Sequence, residues 1–202
     1  VYIAPGLIAM IQLFNGMQSS LSMVYDREMG SMKTMLVSPI PRWFLLCSKL
    51  FAGVFVSILQ VYAFLLIASF WDIIPPVSGY FTILPALIIS GLMLGALGMF
   101  LSSAIKQLEN FAGVMNFVIF PMFFASSALY PLWKIEETSE WLYLVCFYNP
   151  FTYAVESIRF SLYSQINFEY SAGIIIFTLI FLFLSIMGYD PSRGNLQKKG
   201  GK

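Results

Sequence analysis

The sequence contains no histidine and only two cysteines among its 202 residues. Without histidine, no serine or cysteine nucleophile can be paired with an imidazole base, and the HExxH zinc motif is absent. Cys47 and Cys146 lie far apart and outside any CxxC pair, so they predict neither a disulfide framework nor a metal site. The simplest interpretation is that both cysteines serve as small apolar residues in membrane helices or near the helix ends.

Charged residues are also scarce, at 10% of the chain against 59% hydrophobic residues. Soluble domains carry about 25% charged residues, and a chain of this size needs a polar surface to fold in water. The composition therefore favours a lipid bilayer as the solvent. No basic run with interleaved aromatic residues predicts a nucleic-acid partner. The P-loop pattern GxxxxGK[ST] is absent too, so no cofactor site is predicted in this chain.

Long apolar stretches are abundant, and about 20 such residues are enough to cross the hydrocarbon of a bilayer. The first of five is the weakest, because Asn15 and Gln18 interrupt it. Polar residues within a span usually face other helices or a water-filled path, which makes these two candidate pathway residues. We predict an all-α integral membrane protein with five transmembrane helices, at about 2–24, 43–70, 80–104, 111–132 and 171–189.

The basic residues orient these spans. Nine of the eleven Lys and Arg residues fall in the connections and tail of one side. Because cytoplasmic loops are enriched in Lys and Arg, the 26–42 loop and the tail at 190–202 are predicted to be cytoplasmic. The connection at 133–170 is then outside. Val1 begins inside an apolar run without the basic start of a signal peptide, so we expect a further segment to precede it.

The cytoplasmic stretch DREMGSMKTMLVSPIP has the pattern of a short helix. Met32, Met35 and Leu36 share one helical face. Gly30 allows a close backbone approach, and Pro39 ends the helix before the next span. Exposed methionines form an adaptable apolar surface for a groove on another protein. The alternative is an ordinary loop whose charges only set the topology.

The third and fourth predicted spans carry two further patterns. Gly91, Gly95 and Gly98 include a GxxxG pair, which lets two helices approach closely, either within one chain or between two copies. Phe120 and Phe124 flank Pro121 in the fourth span. They are candidates for an aromatic lining of a substrate path, with lipid-facing or packing bulk as the alternative.

The stretch NPFTYAVESIR predicts a helix with Asn149 as its N-cap and Pro150 in its first turn. Glu156 and Arg159 are then one turn apart and able to pair. Two charges at membrane depth need a partner or water. A surface pair is the alternative.

These motifs together resemble the ABC-2 type transporter permeases. In that family a span is followed by Arg-Glu-x-Gly and then by Leu and Ser-Pro, a pattern carried here by Arg27, Glu28, Gly30, Leu36, Ser38 and Pro39. The stretch GLMLGALGMFLSSAIKQLENFAGVMNFVIFPMFFASSALYPL is similar to the family's central helix pair, and NPFTYAVESIR to the segment before its last helix. MFFASSALYPLW and GYDPSRG resemble the permeases associated with PQQ-dependent alcohol catabolism.

The resemblance implies a transmembrane domain over 1–189 that serves as the permease of an ATP-driven exporter in a bacterial inner membrane. It implies that the segment from Arg27 to Pro39 is a coupling helix that docks on a separate ATPase subunit, which binds ATP and Mg. It also implies a second permease copy, identical or related, short re-entrant outer helices around Asn149, and one further span before Val1, which makes six. The alternatives are an intramembrane or lipid-modifying enzyme, or a channel, and the substrate is left open.

Overall fold

The computed structural model describes residues 2–29, 42–70, 78–105 and 108–188. Within these ranges the chain forms eight α-helices and no strand. The helices are α1 Ala4–Glu28, α2 Arg42–Ser69, α3 Gly79–Ala104, α4 Leu108–Phe124, α5 Leu132–Thr138, α6 Glu140–Phe147, α7 Pro150–Leu162 and α8 Phe168–Gly188. Four of them, α1, α2, α3 and α8, are long and apolar enough to cross a membrane. The prediction of an all-α integral membrane protein is confirmed.

Helices α1, α2 and α3 alternate in direction, and α8 runs parallel to α3, because Ser185 of α8 contacts Ala96 of α3. The end of α1 meets the start of α2 through an Asp26–Lys49 ion pair. The Tyr62 hydroxyl donates to the Tyr80 carbonyl oxygen at 2.8 Å, which joins α2 to the start of α3. Gly188, the last residue of α8, lies against Ser103 at the end of α3. We call the end of the bundle that holds Tyr2, residues 125–131 and helices α5 to α7 the α7 end, and the opposite end the Asp26 end.

Helix α3 is the centre of the bundle. It packs against α1, α2, α7 and α8, and 14 of its 26 residues are buried. A soluble helix shows a polar stripe, but α3 is apolar all round, because its neighbours are either protein or lipid. The large apolar cluster that runs through the bundle includes Leu87, Met93 and Leu94 of this helix.

Glycine allows α1 and α3 to approach each other closely. A Cβ atom on Gly16 would lie 3.0 Å from backbone atoms of Gly95. A Cβ atom on Gly98 would lie 2.6 Å from Ser20 Oγ and 2.7 Å from the Gly16 carbonyl oxygen. Gly91 lies against Gln12 of α1 and Val54 of α2. The glycines of α3 therefore lie at contacts within one chain, where small residues bring helix backbones together.

A buried amide provides a second connection between α1 and α3. Gln12 is 1% exposed. Its Nε2 donates to the Leu87 carbonyl oxygen at 2.8 Å, and its Oε1 accepts from Ser90 Oγ at 2.6 Å. A polar group inside a membrane protein is costly unless it is paired in this way. Gln12 thus fixes the register of α1 on α3.

Helix α4 ends earlier than the sequence indicated. The fourth span was predicted to extend to residue 132, but the helix ends at Phe124 and residues 125–131 form turns. The helix continues through Pro121 and ends three residues later. The carbonyl groups at the end of a helix lack intrahelical donors. Here Ser126 Oγ and Asn149 Nδ2 donate hydrogen bonds to them, so the helix can end at this point. At 17 residues, α4 is about 25 Å long, which is shorter than the roughly 30 Å of hydrocarbon.

We predict that Gly98→Ala lowers the thermal stability of the detergent-solubilised protein. The added methyl group meets backbone at Gly16, and overpacking of this kind costs about 1–3 kcal/mol. The matched control is Gly113→Ala on α4, since a Cβ atom there meets nothing within 4 Å. Melting followed by tryptophan fluorescence measures both variants. Equal melting temperatures for the two would contradict the close contact between α1 and α3.

Candidate functional site

Helix α7 does not cross the bundle. It lies at the α7 end, with one of its own ends deeper in the bundle than the other. Its last turn is level with the start of α3, because Thr82 Oγ1 donates to the Ser161 carbonyl oxygen at 2.7 Å. Its first turn lies deeper, since the ring centroids of Tyr153 and Phe177 are 5.4 Å apart and Phe177 is nine residues inside α8. Helix α7 therefore begins below the end of the bundle and runs back towards it, which is the geometry of a re-entrant helix.

Asn149 joins the start of α7 to the end of α4. Its Oδ1 accepts from the Phe151 amide at 3.0 Å, so it is the predicted N-cap, and Pro150 occupies the first turn. Its Nδ2 donates to the carbonyl oxygens of Met122 at 2.8 Å and Ala125 at 2.6 Å. One amide thus satisfies a free donor of one helix and two free acceptors of another. This explains why the chain can end α4 and begin α7 within the apolar interior.

The charged pair of α7 is buried, not on the surface. Arg159 Nη1 and Glu156 Oε1 are 2.5 Å apart, with side-chain exposures of 16% and 9%. Arg159 Nη2 also donates to the Ser127 carbonyl oxygen at 2.9 Å. The guanidinium therefore connects α7 to the turns that follow α4. Pairing offsets part of the desolvation that two buried charges incur.

Tyr2 covers this pair from the start of the chain. The guanidinium carbon of Arg159 lies 4.0 Å from the centroid of the Tyr2 ring, a cation–π geometry. The Tyr2 hydroxyl donates to the same Ser127 carbonyl oxygen at 3.1 Å. Burial raises the pKa of Tyr2, although the charge of Arg159 opposes that shift. The phenol therefore stays neutral at physiological pH and remains a donor.

The cluster formed by Tyr2, Ser127, Glu156 and Arg159 retains unused hydrogen-bonding capacity; we call it the α7-end cluster. Among the described residues, three buried polar atoms have no protein partner, and they are Arg159 Nε, Ser127 Oγ and Thr152 Oγ1. Thr152, Glu156 and Arg159 lie four and three residues apart, on one face of α7. This face is the most polar buried surface of the re-entrant segment.

The other predicted pathway residues do not join this cluster. Asn15 Nδ2 donates to Gln60 Oε1 of α2 at 2.7 Å, and Gln18 is exposed. Phe120 and Phe124 stack with their ring centroids 6.5 Å apart and face outward, at 47% and 65% exposure. The first two residues therefore lie on α1 and the two phenylalanines on α4, and none of them belongs to the α7-end cluster.

A small crevice lies between α1, α2 and α3. Its volume is about 10 Å³, room for roughly one water molecule, and its polar lining includes Gln12, Ser19, Ser20 and Ser57. This crevice is too small for a transported solute. Within the described ranges, no group of three or more His, Cys, Asp or Glu side chains is placed to hold a metal ion.

The predicted coupling residues fall at the edge of the described structure. Arg27 and Glu28 are the last two residues of α1. Gly30, Met32, Met35, Leu36, Ser38 and Pro39 lie outside the described residues. The structure nevertheless fixes the helices on either side of them, α1 and α2.

Three residues of these sites were missed by sequence reasoning. Gln12 interrupts the same apolar stretch as Asn15, about one helical turn earlier. The sequence therefore did contain a signal for it. No pattern in the sequence indicated a role for Tyr2 or Ser127. Ser127 acts through its backbone carbonyl group, and its position depends on where α4 ends.

Comparison with known families decides the identity of this bundle. The family model described as ABC-2 type transporter matches residues 1–163, which hold α1 to α7. The chain belongs to the ABC-2 type transporter family. The match includes the residues before α2, the glycine-rich α3 and the re-entrant α7.

Named relatives agree with this family. The chain is 28% identical over 184 residues to the putative transport permease ycf38 of Cyanophora paradoxa, covering 90% of this chain and 61% of that protein. It is 29% identical to ycf38 of Porphyra purpurea, over 86% of this chain and 59% of the relative. It is 31% identical to the probable multidrug ABC transporter permease YbhR of Escherichia coli K12, over 74% of this chain and 40% of that protein. The chain thus spans about three-fifths of the length of the ycf38 relatives.

We predict that Arg159→Met in this ABC-2 chain is strongly destabilising, by about 3–5 kcal/mol, because Glu156 is left as an unpaired buried charge. Replacing both residues, as Glu156→Met with Arg159→Met, removes that charge, so the double variant melts at a higher temperature than the single one. Thermal melting in detergent measures both. A double variant less stable than Arg159→Met would show that the pair is not a mutually neutralising unit.

Proposed function

We propose that this chain is the permease subunit of an ATP-driven ABC transporter and that it acts as an exporter. The observation that carries the proposal is the family match across a bundle of apolar helices with a re-entrant α7. The ABC-2 family implies an ATPase partner, and the P-loop pattern does not occur in these 202 residues. In this proposal the energy comes from a separate ATPase subunit that binds ATP and Mg.

The contact with that ATPase lies in the segment between α1 and α2. Arg27 and Glu28 end α1, and the Met32, Met35 and Leu36 face follows them in the sequence. Closure of the ATPases pushes this segment, and the permease shifts between inward-open and outward-open states. The push reaches the bundle through α1 and α2, the helices that flank the segment.

The Asp26 end faces the cytoplasm of a bacterial cell, and the α7 end faces outward. The distribution of Lys and Arg supports this orientation, as does the acidic segment of α5 and α6, with Glu136, Glu137 and Glu140. Both ends also expose large aromatic side chains at positions suited to the membrane interface. These are Trp43 and Phe44 near the Asp26 end and Trp133 and Trp141 near the α7 end.

Two permease copies, identical or related, complete the transporter together with two ATPases. The exposed Phe117, Phe120 and Phe124 of α4 form an outward aromatic surface, which suits an amphipathic or aromatic substrate or the lipid around it. YbhR is named as a probable multidrug transporter permease, which agrees with a substrate of that chemistry. The narrower resemblance to permeases of PQQ-dependent alcohol catabolism stays a prediction.

We predict that replacing Met32, Met35 and Leu36 together by Asp abolishes co-purification with the partner ATPase. Three carboxylates cannot enter an apolar groove without losing their hydration. Pull-down through a tag on the permease measures ATPase retention, and membrane fractionation verifies that the variant is inserted. The matched control places Asp at three exposed positions of α5, which are Lys134, Glu136 and Thr138. ATPase binding that survives the first change would exclude this face as the docking surface.

We predict that a membrane-impermeant maleimide labels Glu137→Cys in intact cells and does not label Lys33→Cys until the cells are opened. Each cysteine is introduced into a chain in which Cys47 and Cys146 are replaced by Ser. The charge distribution places position 33 inside and position 137 outside. The reverse labelling pattern would invert the proposed orientation.

A further inference from the structure

An ion pair connects the two helices that flank the proposed coupling segment. Lys49 Nζ of α2 binds Asp26 Oδ2 of α1 across 23 residues of sequence. Asp26 lies two residues before the end of α1, and Lys49 lies seven residues after the start of α2, about 10 Å along its axis. The side chains are 27% and 21% exposed, so the pair is partly withdrawn from solvent.

The helices also contact each other directly next to this pair. A Cβ atom on Gly53, one turn beyond Lys49, would lie 2.8 Å from Ser19 Oγ of α1. The backbone of α2 at Gly53 is therefore in close contact with the Ser19 side chain of α1, about one turn from the ion pair. A glycine at this position lets α2 approach α1 closely, at the edge of the small crevice between the helices.

An apolar cluster of its own packs at this end of the bundle. Met23 of α1, Leu46 and Leu50 of α2, and Met99 of α3 form it, and each is at most 4% exposed. This cluster is separate from the large cluster of the bundle. The crevice lined by Gln12, Ser19 and Ser20 lies next to it and borders Leu50 and Met99. The Asp26 end thus has its own packing, distinct from that of the α7 end.

We propose that Asp26 and Lys49 are positioning residues that bind α1 and α2 into one mechanical unit, so that a push on the segment between them moves both helices together. The inference rests on the proposed function, because it concerns how the ATPase push is transmitted. A segment whose two ends are held together cannot absorb the push by spreading the helices apart. Without the pair, this connection between the two helices is lost, and the separation of their ends becomes variable.

The first experiment removes and then reverses the charges. The variants are Lys49→Met, Asp26→Asn and the exchange Asp26→Lys with Lys49→Asp, with the exposed Lys134→Met as the matched control. Each permease is reconstituted in proteoliposomes with the ATPase that co-purifies with the unmodified permease. The measurements are the amount of ATPase retained and the change in ATP hydrolysis that the permease causes.

We expect Lys49→Met and Asp26→Asn to retain the ATPase while the permease-dependent change in hydrolysis falls about fivefold or more, the lower end of coupling between sites. The exchanged pair recovers most of that change, and Lys134→Met behaves as the unmodified chain. A merely structural role predicts parallel losses of retained ATPase and hydrolysis, without rescue by the exchange. That pattern, or full coupling in the single variants, overturns the inference.

The second experiment replaces the ion pair by a covalent bridge. Asp26→Cys and Lys49→Cys are combined in a chain with Cys47→Ser and Cys146→Ser and joined by a short bis-methanethiosulfonate. If α1 and α2 move as one unit, the bridge restores the hydrolysis change that the unbridged cysteines have lost. If the two helices must separate during the cycle, the bridge inhibits further, and the inference is wrong.

The two proposals fail in distinguishable ways. If the unmodified permease retains no ATPase, the proposed function is wrong, and the positioning role falls with it. If the unmodified permease retains the ATPase and the bridge inhibits, the function stands and only the positioning role is overturned.

Discussion

The close contact between α1 and α3 is the interaction on which the rest of the bundle depends. Water cannot drive helices together inside a bilayer, so the association rests on dispersion contacts and on buried hydrogen bonds. Gly16, Gly95 and Gly98 bring the two backbones into contact, and Gln12 adds a hydrogen-bonded connection to α3. Helix α3 then presents its remaining faces to α2, α7 and α8. Without this contact, the re-entrant segment would have no fixed surface to pack on.

The charged side chains of the described residues lie towards the two ends of the bundle, and each end holds one of their ion pairs. The Asp26–Lys49 pair connects successive helices beside the proposed motor contact, whereas Glu156–Arg159 is held within one helix and braced by Tyr2 and Ser127. The first is partly open to solvent and the second is nearly enclosed. The same chemistry therefore joins two successive helices at one end and holds a folded-back helix in place at the other.

The sequence predicted the helical membrane fold well, because about 20 apolar residues in a row have few other solutions in a bilayer. Local sequence patterns predicted where α2 and α3 start. They also predicted the cap at Asn149 and the pairing of Glu156 with Arg159. Local patterns did not predict the end of α4, because it depends on hydrogen bonds from the side-chain amide of Asn149. The bracing of Arg159 by Tyr2 was not legible either, since no local pattern links residues that meet only in the folded bundle.

The shared cap at Asn149 has a consequence for biogenesis. The carbonyl groups of Met122 and Ala125 are made 27 and 24 residues before the side chain that satisfies them. At synthesis rates of about 5–20 residues per second, α4 waits roughly one to five seconds for that amide. During this interval it is a short helix with an unfinished end, which is poorly suited to lipid. We therefore expect α4 and α7 to complete their membrane insertion together, although they are separate helices in the sequence.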